Sequence, residues 1–226
     1  MQDGIQTNNS ILKKINNIKI LIKFFFSKNK FNLYSIRKIF LGLPRKIPLY
    51  IEYKECLKKY TVLPDYNKKY VYFPLHLQPE MTTSVNGGIY CDQILAIERL
   101  SKLIPNDWYI YVKENPKQSE YMRGRIFFKR LHQISNVRFI DMKVSSAQLL
   151  KHCKFCSTIN GTSSFEAICG GKPTLIFGNV WWDFLPGVFH YDKNLNINYL
   201  LNFKIDKQIL KEKYNEYLSK TVIATL

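Results

Sequence analysis

The chain has 226 residues, of which 46% are hydrophobic and 23% charged, so a folded globular protein is expected and a largely disordered one is excluded. The formal net charge is +17, and residues 1–66 carry 13 Lys and Arg against 4 Asp and Glu, a surplus of 9. This surplus favours anionic partners such as nucleic acid, anionic lipid, or acidic nucleotides and glycans. An AT-rich genome would produce the same Lys-, Asn- and Ile-rich composition, so charge alone identifies no partner.

Cysteine and hydropathy patterns indicate a cytoplasmic protein. The five cysteines are odd in number and irregularly spaced, which is not the pattern of a disulfide framework. Cys153 and Cys156 have CxxC spacing, but no second pair completes a zinc site, and the apolar run around Cys156 favours core packing. The most apolar early stretch, 18–26, is interrupted by two lysines and is far shorter than the roughly 20 residues that cross a bilayer. We therefore expect a cytoplasmic location, either free or at the membrane surface.

Residues 1–66 are predicted to form a basic helical N-terminal segment. An apolar stripe at spacings of three and four predicts a first helix, and its members are Ile11, Ile15, Ile18, Ile22 and Phe25. A second, short helix is predicted over 33–41, ended by Gly42 and Pro44. A basic amphipathic helix either lies on an anionic membrane surface or packs on a neighbouring domain, and we favour packing.

After residue 66 the pattern changes to alternating strands and helices. Short segments rich in β-branched and aromatic residues predict strands over 70–75, 108–113, 137–140, 155–159 and 174–177. Helices are predicted over 91–104, 122–134, 146–151 and 163–169, the last capped by Gly170 and Gly171. This alternation predicts an α/β fold for residues 67–226, a Rossmann-like parallel sheet with helices on both faces, followed by C-terminal helices. Ligands of such sheets bind at the carboxyl ends of the strands.

The turn after the fourth predicted strand has the composition of a phosphate site. Gly161 permits a tight turn and a close approach of the backbone to a ligand. Thr162, Ser163 and Ser164 offer hydroxyl and N–H groups at a helix N-terminus, where the helix dipole favours phosphate. Glu166, one turn into the helix, is placed either to accept hydrogen bonds from ribose hydroxyls or to complete a capping box. Taken alone, the segment fits a nucleotide site and an ordinary helix cap equally well.

Loops after the first and second predicted strands add ionisable groups at the same edge. The first loop is long and contains His76, Gln78 and Glu80, and His76 is either a structural or a catalytic residue. In the second, Lys113 is placed to neutralise a phosphate, and Glu114 to act as acid or base or to hold a sugar hydroxyl. A charged turn ended by proline is the alternative interpretation of that second loop.

Other sequence features narrow the ligand class. Trp181 and Trp182 follow the fifth predicted strand and suit either sugar stacking or packing against the sheet. The sequence contains no Asp-x-Asp motif, no GxxxxGK[ST] loop and no GxGxxG turn. Their absence argues against P-loop NTPases, typical dinucleotide enzymes and metal-dependent GT-A transferases. No dinucleotide cofactor and no Asp-x-Asp metal site is therefore expected.

The joint order of the motifs resembles a known family. The segments are Phe73-Pro74-Leu75-His76-x-Gln78-Pro79-Glu80, Gly87-Gly88, Asp92-Gln93, Tyr111-Val112-Lys113-Glu114-Asn115-Pro116, Gly161-Thr162-x-x-x-Glu166-Ala167, Gly171-Lys172-Pro173 and Phe177-Gly178. Over residues 70–190 they resemble bacterial capsular and surface polysaccharide biosynthesis proteins. These proteins are similar to the capsule Kdo transferases and, more distantly, to bacterial sialyltransferases.

The resemblance implies one half, the nucleotide-binding half, of a GT-B glycosyltransferase that needs no metal. Its donor would be a CMP-activated acidic sugar such as Kdo or sialic acid, and its acceptor a glycan or glycolipid. We assign catalysis and contact with the transferred sugar to Gln78, Glu80 and Glu114. The predicted nucleotide-binding residues are Lys113, Asn115, Pro116, Gly161, Thr162, Ser163, Ser164 and Glu166.

Two departures from the family pattern leave an alternative open. The family's His-Pro pair corresponds to Asn115-Pro116, so asparagine stands at the histidine position. A complete GT-B enzyme also has a second Rossmann domain, for which residues 1–66 are too short. The alternative is a truncated or degenerate non-catalytic domain that binds a nucleotide or glycan together with a separate acceptor domain or other capsule-synthesis proteins. Only charge supports nucleic acid binding, since no recognition motif is present.

Overall fold

The computed structural model describes residues 33–223, with side chains for residues 47–80 and 84–221. Two compact units divide the chain, the first ending at Ile47 and the second starting at Pro48. The predicted boundary between residues 66 and 67 falls inside the second unit. The helix predicted from the stripe over 11–25 lies outside the described residues and stays a prediction.

Helix α1 spans Leu33–Tyr60, so the predicted helix end at Gly42 and Pro44 is wrong. The last turns of α1 bury a stripe at helical spacing in the core of the second unit, formed by Tyr53, Cys56 and Leu57. Burial of such a stripe stabilises a helix more strongly than local propensity does. The two breaker residues therefore do not decide where this helix ends.

Seven parallel strands form one sheet within residues 33–223. The strands are β1 (Thr61–Val62), β2 (Tyr70–Pro74), β3 (Tyr109–Lys113), β4 (Val137–Ile140), β5 (Cys156–Thr158), β6 (Thr174–Ile176) and β7 (Val188–His190). Their order is β1-β4-β3-β2-β5-β6-β7, and every neighbouring pair is parallel. The chain adds β3 and β4 on one side of β2, then β5, β6 and β7 on the other. This reversal places a topological switch point between β2 and β5.

Helices cover both faces of the sheet, as predicted. The other helices of the described chain are α2 (Met81–Asn86), α3 (Gln93–Leu103), α4 (Arg125–His132), α5 (Ser146–His152), α6 (Ser163–Cys169), α7 (Ile197–Asn202) and α8 (Lys207–Ile223), with a 3-10 helix at Gly88–Cys91. Along β2, Val71 and Phe73 belong to a core formed with α1, α3 and α4. Tyr70 and Tyr72 alternate with them and belong to a second core formed with α5 and α6. The Rossmann-like arrangement is thus confirmed.

The predicted strands over 70–177 are also confirmed, each within one residue at either end. The short edge strands β1 and β7 were not predicted. Cys153 and Cys156 are both buried in the core shared with α5 and α6, which confirms core packing for this pair. Among the helices described here, none is both long and apolar enough to cross a membrane.

Helix α6 has the predicted bounds and the predicted glycine cap. Gly171 adopts a left-handed conformation with φ of 80°. Its N–H donates to the Ile168 carbonyl at 2.9 Å, and the Lys172 N–H donates to the Ala167 carbonyl at 2.8 Å. These two bonds form a Schellman motif, which ends α6 and leads the chain directly into β6. The β5–α6–β6 unit consequently holds the Gly161 turn at the carboxyl edge of the sheet.

Candidate functional site

A cavity of about 530 Å³ opens at the carboxyl edge of the sheet, around the switch point. Its lining residues are Pro74, Leu75, His76, Glu80, Asn86, Asn115, Thr158, Asn160, Gly161, Thr162, Ser163, Asn179, Val180, Trp181 and Trp182. Amides, hydroxyls and two indole rings dominate this lining, and none of its described residues is Lys or Arg. The cavity therefore suits a polar ligand that contains a ring.

One threonine hydroxyl joins the two loops that meet at the switch point. Thr158 Oγ1 lies 2.8 Å from His76 Nε2 and accepts a hydrogen bond from the Gly161 N–H at 3.2 Å. Burial, together with the charge of Arg123, lowers the pKa of His76 from 6.5 to about 4. The imidazole in the cavity wall is consequently neutral at pH 7.

Close packing explains why glycine occupies position 161. A Cβ atom added there would lie 2.9 Å from Thr158 Oγ1 and 3.0 Å from His76 Cε1. Both distances are shorter than ordinary contacts, so any side chain would displace the threonine–histidine pair. The tight turn that the sequence predicts at Gly161 is therefore packed directly against the two strand ends.

The turn after β5 presents unpaired donors to the cavity. Thr162 and Ser163 both line the cavity, and neither their hydroxyls nor their backbone N–H groups have a partner among the described residues. Ser164 is fully buried, and its hydroxyl donates to the Gly161 carbonyl at 2.7 Å and accepts from Trp182 Nε1 at 3.2 Å. Thr162 and Ser163 thus line the cavity, whereas Ser164 is buried beneath the turn and supports it.

Arg123 ties together the loops after β2 and β3. Its side chain and that of Glu114 are both 0% exposed, and Arg123 Nε donates to Glu114 Oε2 at 2.7 Å. The same guanidinium donates to Gln78 Oε1 at 2.5 Å and to the His76 carbonyl at 3.1 Å. The guanidinium also lies over the Phe127 ring, 4.4 Å from its centroid. A buried charge is thus paired, hydrogen-bonded and stacked, which fixes both loops.

The side chains of two glutamines, Gln93 and Gln118, also hold the backbone of the β2 loop in place. The His76 N–H donates to Gln93 Oε1 at 2.8 Å, and Gln93 Nε2 donates to the His76 carbonyl at 3.1 Å. In the same way the Gln78 N–H donates to Gln118 Oε1 at 2.8 Å, and Gln118 Nε2 donates to the Gln78 carbonyl at 2.9 Å. The Gln78–Pro79 peptide bond that follows is cis. Side-chain amides here take the place that a neighbouring strand would have in the sheet.

The predicted catalytic residues separate into two groups. Glu80 lines the cavity, and its carboxylate has no ion-pair partner among the described residues. Glu114 is held by Arg123 and accepts a hydrogen bond from the Asn115 N–H at 3.0 Å. Burial raises the pKa of Glu114, and the charge of Arg123 opposes that shift. Gln78 likewise accepts a hydrogen bond from Arg123. Neither Gln78 nor Glu114 is among the cavity-lining residues.

The remaining predicted nucleotide-binding residues also differ in position. Asn115 lines the cavity, whereas Pro116 and Glu166 are exposed outside its lining. Lys113 is 5% exposed, and its Nζ donates to Ser146 Oγ at 2.8 Å instead of reaching the cavity. Burial lowers the pKa of Lys113. The lysine therefore belongs to the face of the sheet that α5 covers.

The loop after β6 closes the cavity against the end of α2. The Gly178 N–H donates to the Ile159 carbonyl at 2.8 Å, and the Asn179 N–H donates to the Asn86 carbonyl at 3.3 Å. A Cβ atom at Gly178 would lie 2.7 Å from that Asn86 carbonyl, so the two loops approach too closely for any other residue. This contact explains the glycine of the Phe177-Gly178 pair noted in the sequence.

Several residues of the site were not found by sequence reasoning. Arg123, Gln93, Gln118 and Thr158 hold the loops, and each makes at least one contact with a residue 17 to 82 positions away along the chain. Of these four residues, only Gln93 belongs to one of the motifs described above, the Asp92-Gln93 pair. Non-local contacts of this kind leave no periodicity in a single sequence.

A parallel sheet with a polar cavity at its switch point defines a Rossmann-like ligand-binding domain. A family model described as "Capsule polysaccharide biosynthesis protein" matches residues 6–225. The chain therefore belongs to the capsule polysaccharide biosynthesis protein family, which confirms the resemblance seen in its motifs.

Individual relatives match only parts of this family member. The "Capsule polysaccharide export protein KpsS" of Escherichia coli is 28% identical over 130 residues, which are 54% of this chain and 32% of that protein. Among solved structures, the β-Kdo 2,7 transferase of Thermosulfurimonas dismutans KpsC has a TM-score of 0.46 at 16% identity, over 73% of this chain and 54% of that one. The β-Kdo 2,4 transferase of the same KpsC has a TM-score of 0.43 at 16% identity, over 64% and 49%. The chain thus spans about a third of the curated relative and about half of these structures.

Proposed function

We propose that the cavity binds a nucleotide sugar and that the chain is a glycosyltransferase, or the donor-binding portion of one, in capsule or surface polysaccharide synthesis. The carrying observation is the unpaired set of N–H and hydroxyl donors at Thr162 and Ser163, which line the cavity at the switch point. Phosphate oxygens are the acceptors that such a turn recognises. Membership of the capsule family supports the glycan context of the reaction.

The donor sugar and phosphate would occupy neighbouring parts of the cavity. The phosphate would meet the Gly161–Ser163 turn after β5, and the glycosyl group would lie beside Glu80 in the loop after β2. Glu80 would accept hydrogen bonds from sugar hydroxyls or receive a proton, because its carboxylate is not engaged elsewhere in the described chain. Gln78 and Glu114 would act through Arg123, by holding the β2 loop in place.

Catalysis would rest on stabilisation of the departing nucleotide phosphate. As the glycosidic bond breaks, negative charge grows on the phosphate, and fixed N–H donors stabilise that charge more in the transition state than in the ground state.

We propose a CMP-activated acidic sugar such as Kdo or sialic acid as donor, because the motif order resembles enzymes of that donor class. We propose in addition that no metal or cofactor is required, that the acceptor is a glycan or glycolipid, and that the protein works at the cytoplasmic side of the inner membrane.

Isothermal titration calorimetry with CMP, CMP-Kdo and UDP tests this proposal. We expect both cytidine nucleotides to bind, with UDP weaker. A folded protein that binds none of the three would contradict nucleotide-sugar binding. Binding by UDP alone would retain the nucleotide site and overturn the donor class.

A non-catalytic binding domain is the second candidate. The observation that favours it is the engagement of Glu114 by Arg123, which removes one predicted acid or base from the cavity, together with asparagine where the family pattern has histidine. An assay of sugar transfer from CMP-Kdo to capsule glycolipid, with Asn115→His as the variant, distinguishes the two. Transfer by the unmodified chain excludes the second candidate, and binding without transfer by either form supports it.

A further inference from the structure

The two adjacent tryptophans at the cavity have different environments. Trp182 is 3% exposed and donates from Nε1 to the buried Ser164 hydroxyl at 3.2 Å, so it anchors the β6 loop to the first turn of α6. Trp181 also lines the cavity but keeps 51% of its surface exposed. An exposed indole beside a polar cavity offers an aromatic surface to a ring of the ligand. Trp182 thus packs inside the protein, whereas Trp181 keeps exposed ring surface beside the cavity.

Neighbouring rings hold Trp181 in one orientation. Its ring stacks on Tyr217 of α8, with centroids 5.5 Å apart and planes at 27°, and meets Trp182 edge-on at 5.4 Å. Tyr217 in turn stacks on Phe184 at 4.7 Å, so the supporting ring is itself held from its other side. A ring fixed in this way loses little freedom when a ligand stacks on it. Trp181 is therefore a prepared platform at the cavity rim.

The order of the strands indicates which part of a ligand meets this platform. A nucleotide sugar is linear, with the phosphate between the glycosyl group and the nucleoside. Glu80 follows β2, the Gly161–Ser163 turn follows β5 and Trp181 follows β6, and these three strands are consecutive in the sheet. With the glycosyl group at the β2 loop and the phosphate at the β5 turn, the nucleoside falls at the β6 loop.

We infer that Trp181 is the nucleobase-stacking residue of the donor site, an assignment that rests on the proposed function. The charge of the lining supports it, because no described cavity-lining residue is Lys or Arg, and the neutral His76 adds no cation. Without a cation, the phosphate is held only by neutral donors. Stacking of the base on an indole then supplies the discrimination between a nucleotide and other phosphate esters.

Binding of three probes to three proteins tests this assignment. The probes are cytidine, CMP and ribose 5-phosphate, and the proteins are the unmodified chain, Trp181→Ala and Trp181→Phe. Cytidine and CMP carry the same base, so Trp181→Ala should lower the affinity for both by the same factor, about tenfold. Ribose 5-phosphate has no base, so its affinity should not change. Trp181→Phe keeps an aromatic face and should recover part of the loss.

Tyr199→Ala is the matched control, because Tyr199 is an exposed aromatic residue outside the cavity lining. It should leave all three affinities unchanged, and circular dichroism checks that each variant is folded. Unchanged CMP affinity in a folded Trp181→Ala protein would overturn the stacking role while leaving nucleotide binding intact. An equal loss for CMP and ribose 5-phosphate would likewise overturn it. If the unmodified chain binds none of the probes, both the stacking role and the proposed function fail.

Discussion

On the β2–β3 side of the cavity, Arg123 and Glu114 are completely buried and the guanidinium is committed to Glu114, Gln78 and the His76 carbonyl. On the β5–β6 side, the Thr162 hydroxyl has no partner in the described chain, and Trp181 stays half exposed although its ring stacks on Tyr217. On the first side Glu80 is the exception, because its carboxylate lines the cavity without an ion-pair partner in the described chain, whereas Arg123 and Glu114 bond only to the protein. Under the proposed function, the first side would set the shape of the cavity and contact the sugar through Glu80, and the second side would hold the phosphate and the base.

The largest effect is expected on the β2–β3 side. Arg123→Met leaves Glu114 buried without its counter-charge, which typically costs about 3–5 kcal/mol. Urea unfolding should show this loss in the free energy of unfolding. Asp107→Asn is the control, since it breaks the exposed Lys69–Asp107 pair and should change stability by no more than about 0.5 kcal/mol. Equal losses in the two variants would mean that the Arg123 network does not support the cavity.

A pH effect of intermediate size is expected from His76, which lies where the two sides meet. The unfolded chain binds a proton at this residue with a pKa near 6.5, whereas the folded protein does so only near 4. Since the unfolded state binds more protons in this window, stability should fall as the pH is lowered from 6.5 towards 4, by up to about 3 kcal/mol. Unfolding of the protein and of His76→Gln at several pH values measures this contribution by difference. A difference that stays constant between pH 7 and pH 4 would show that His76 titrates normally.

On the β5 side, Gly161→Ala tests whether the turn is packed against the strand ends. The added methyl group would collide with the Thr158–His76 pair, and such overpacking costs about 1–3 kcal/mol. CMP binding should weaken at the same time, because the collision displaces the donors that follow. Gly124→Ala is the control, because a Cβ atom added at Gly124 would lie 3.6 Å from Glu52 Oε1, which is an ordinary contact distance. If both alanine variants behave like the unmodified protein, the close packing at Gly161 does not matter for binding.

The smallest effect is expected from Thr162→Ala, which removes one hydroxyl from the exposed side. The hydroxyl has no partner in the described protein, so stability should be unchanged. Affinity for CMP should fall by about 0.5–1.5 kcal/mol, the usual contribution of one hydrogen bond. Calorimetry on this variant and on Glu166→Ala compares a cavity-lining residue with one outside the lining. If Glu166→Ala lowers the affinity for CMP more than Thr162→Ala does, the ribose lies beside α6 and outside the cavity.

The sequence predicts much of the fold because regular elements leave local patterns. The strand over 137–140 and the helix over 163–169 lie at their predicted bounds, since alternation, hydroxyl residues and Gly171 are all local signals. The edge strands β1 and β7 have only two and three residues, too few to establish an alternation. Helix α1 was predicted too short because burial of Tyr53 depends on distant parts of the chain.

The same division applies to the site. Gly161, Thr162 and Ser163 were predicted from their place after a strand, and the cavity does bring them together with Glu80 and Asn115. Arg123 could not be predicted, because a buried arginine and an exposed one have the same sequence signature. Its partner Glu114 was therefore interpreted as a free acid or base, whereas the fold engages it in an ion pair.

Titration of the isotopically labelled protein with CMP, followed by amide chemical shifts in NMR, tests the central claim most directly. The claim is that the carboxyl edge of β5 and β6 recognises the nucleotide. We expect saturable chemical-shift changes for the amides of Gly161, Thr162 and Ser163 and for the indole N–H of Trp181. The amides of helix α3 should not shift. No saturable shift in the folded protein, or shifts confined to other surfaces, would contradict it.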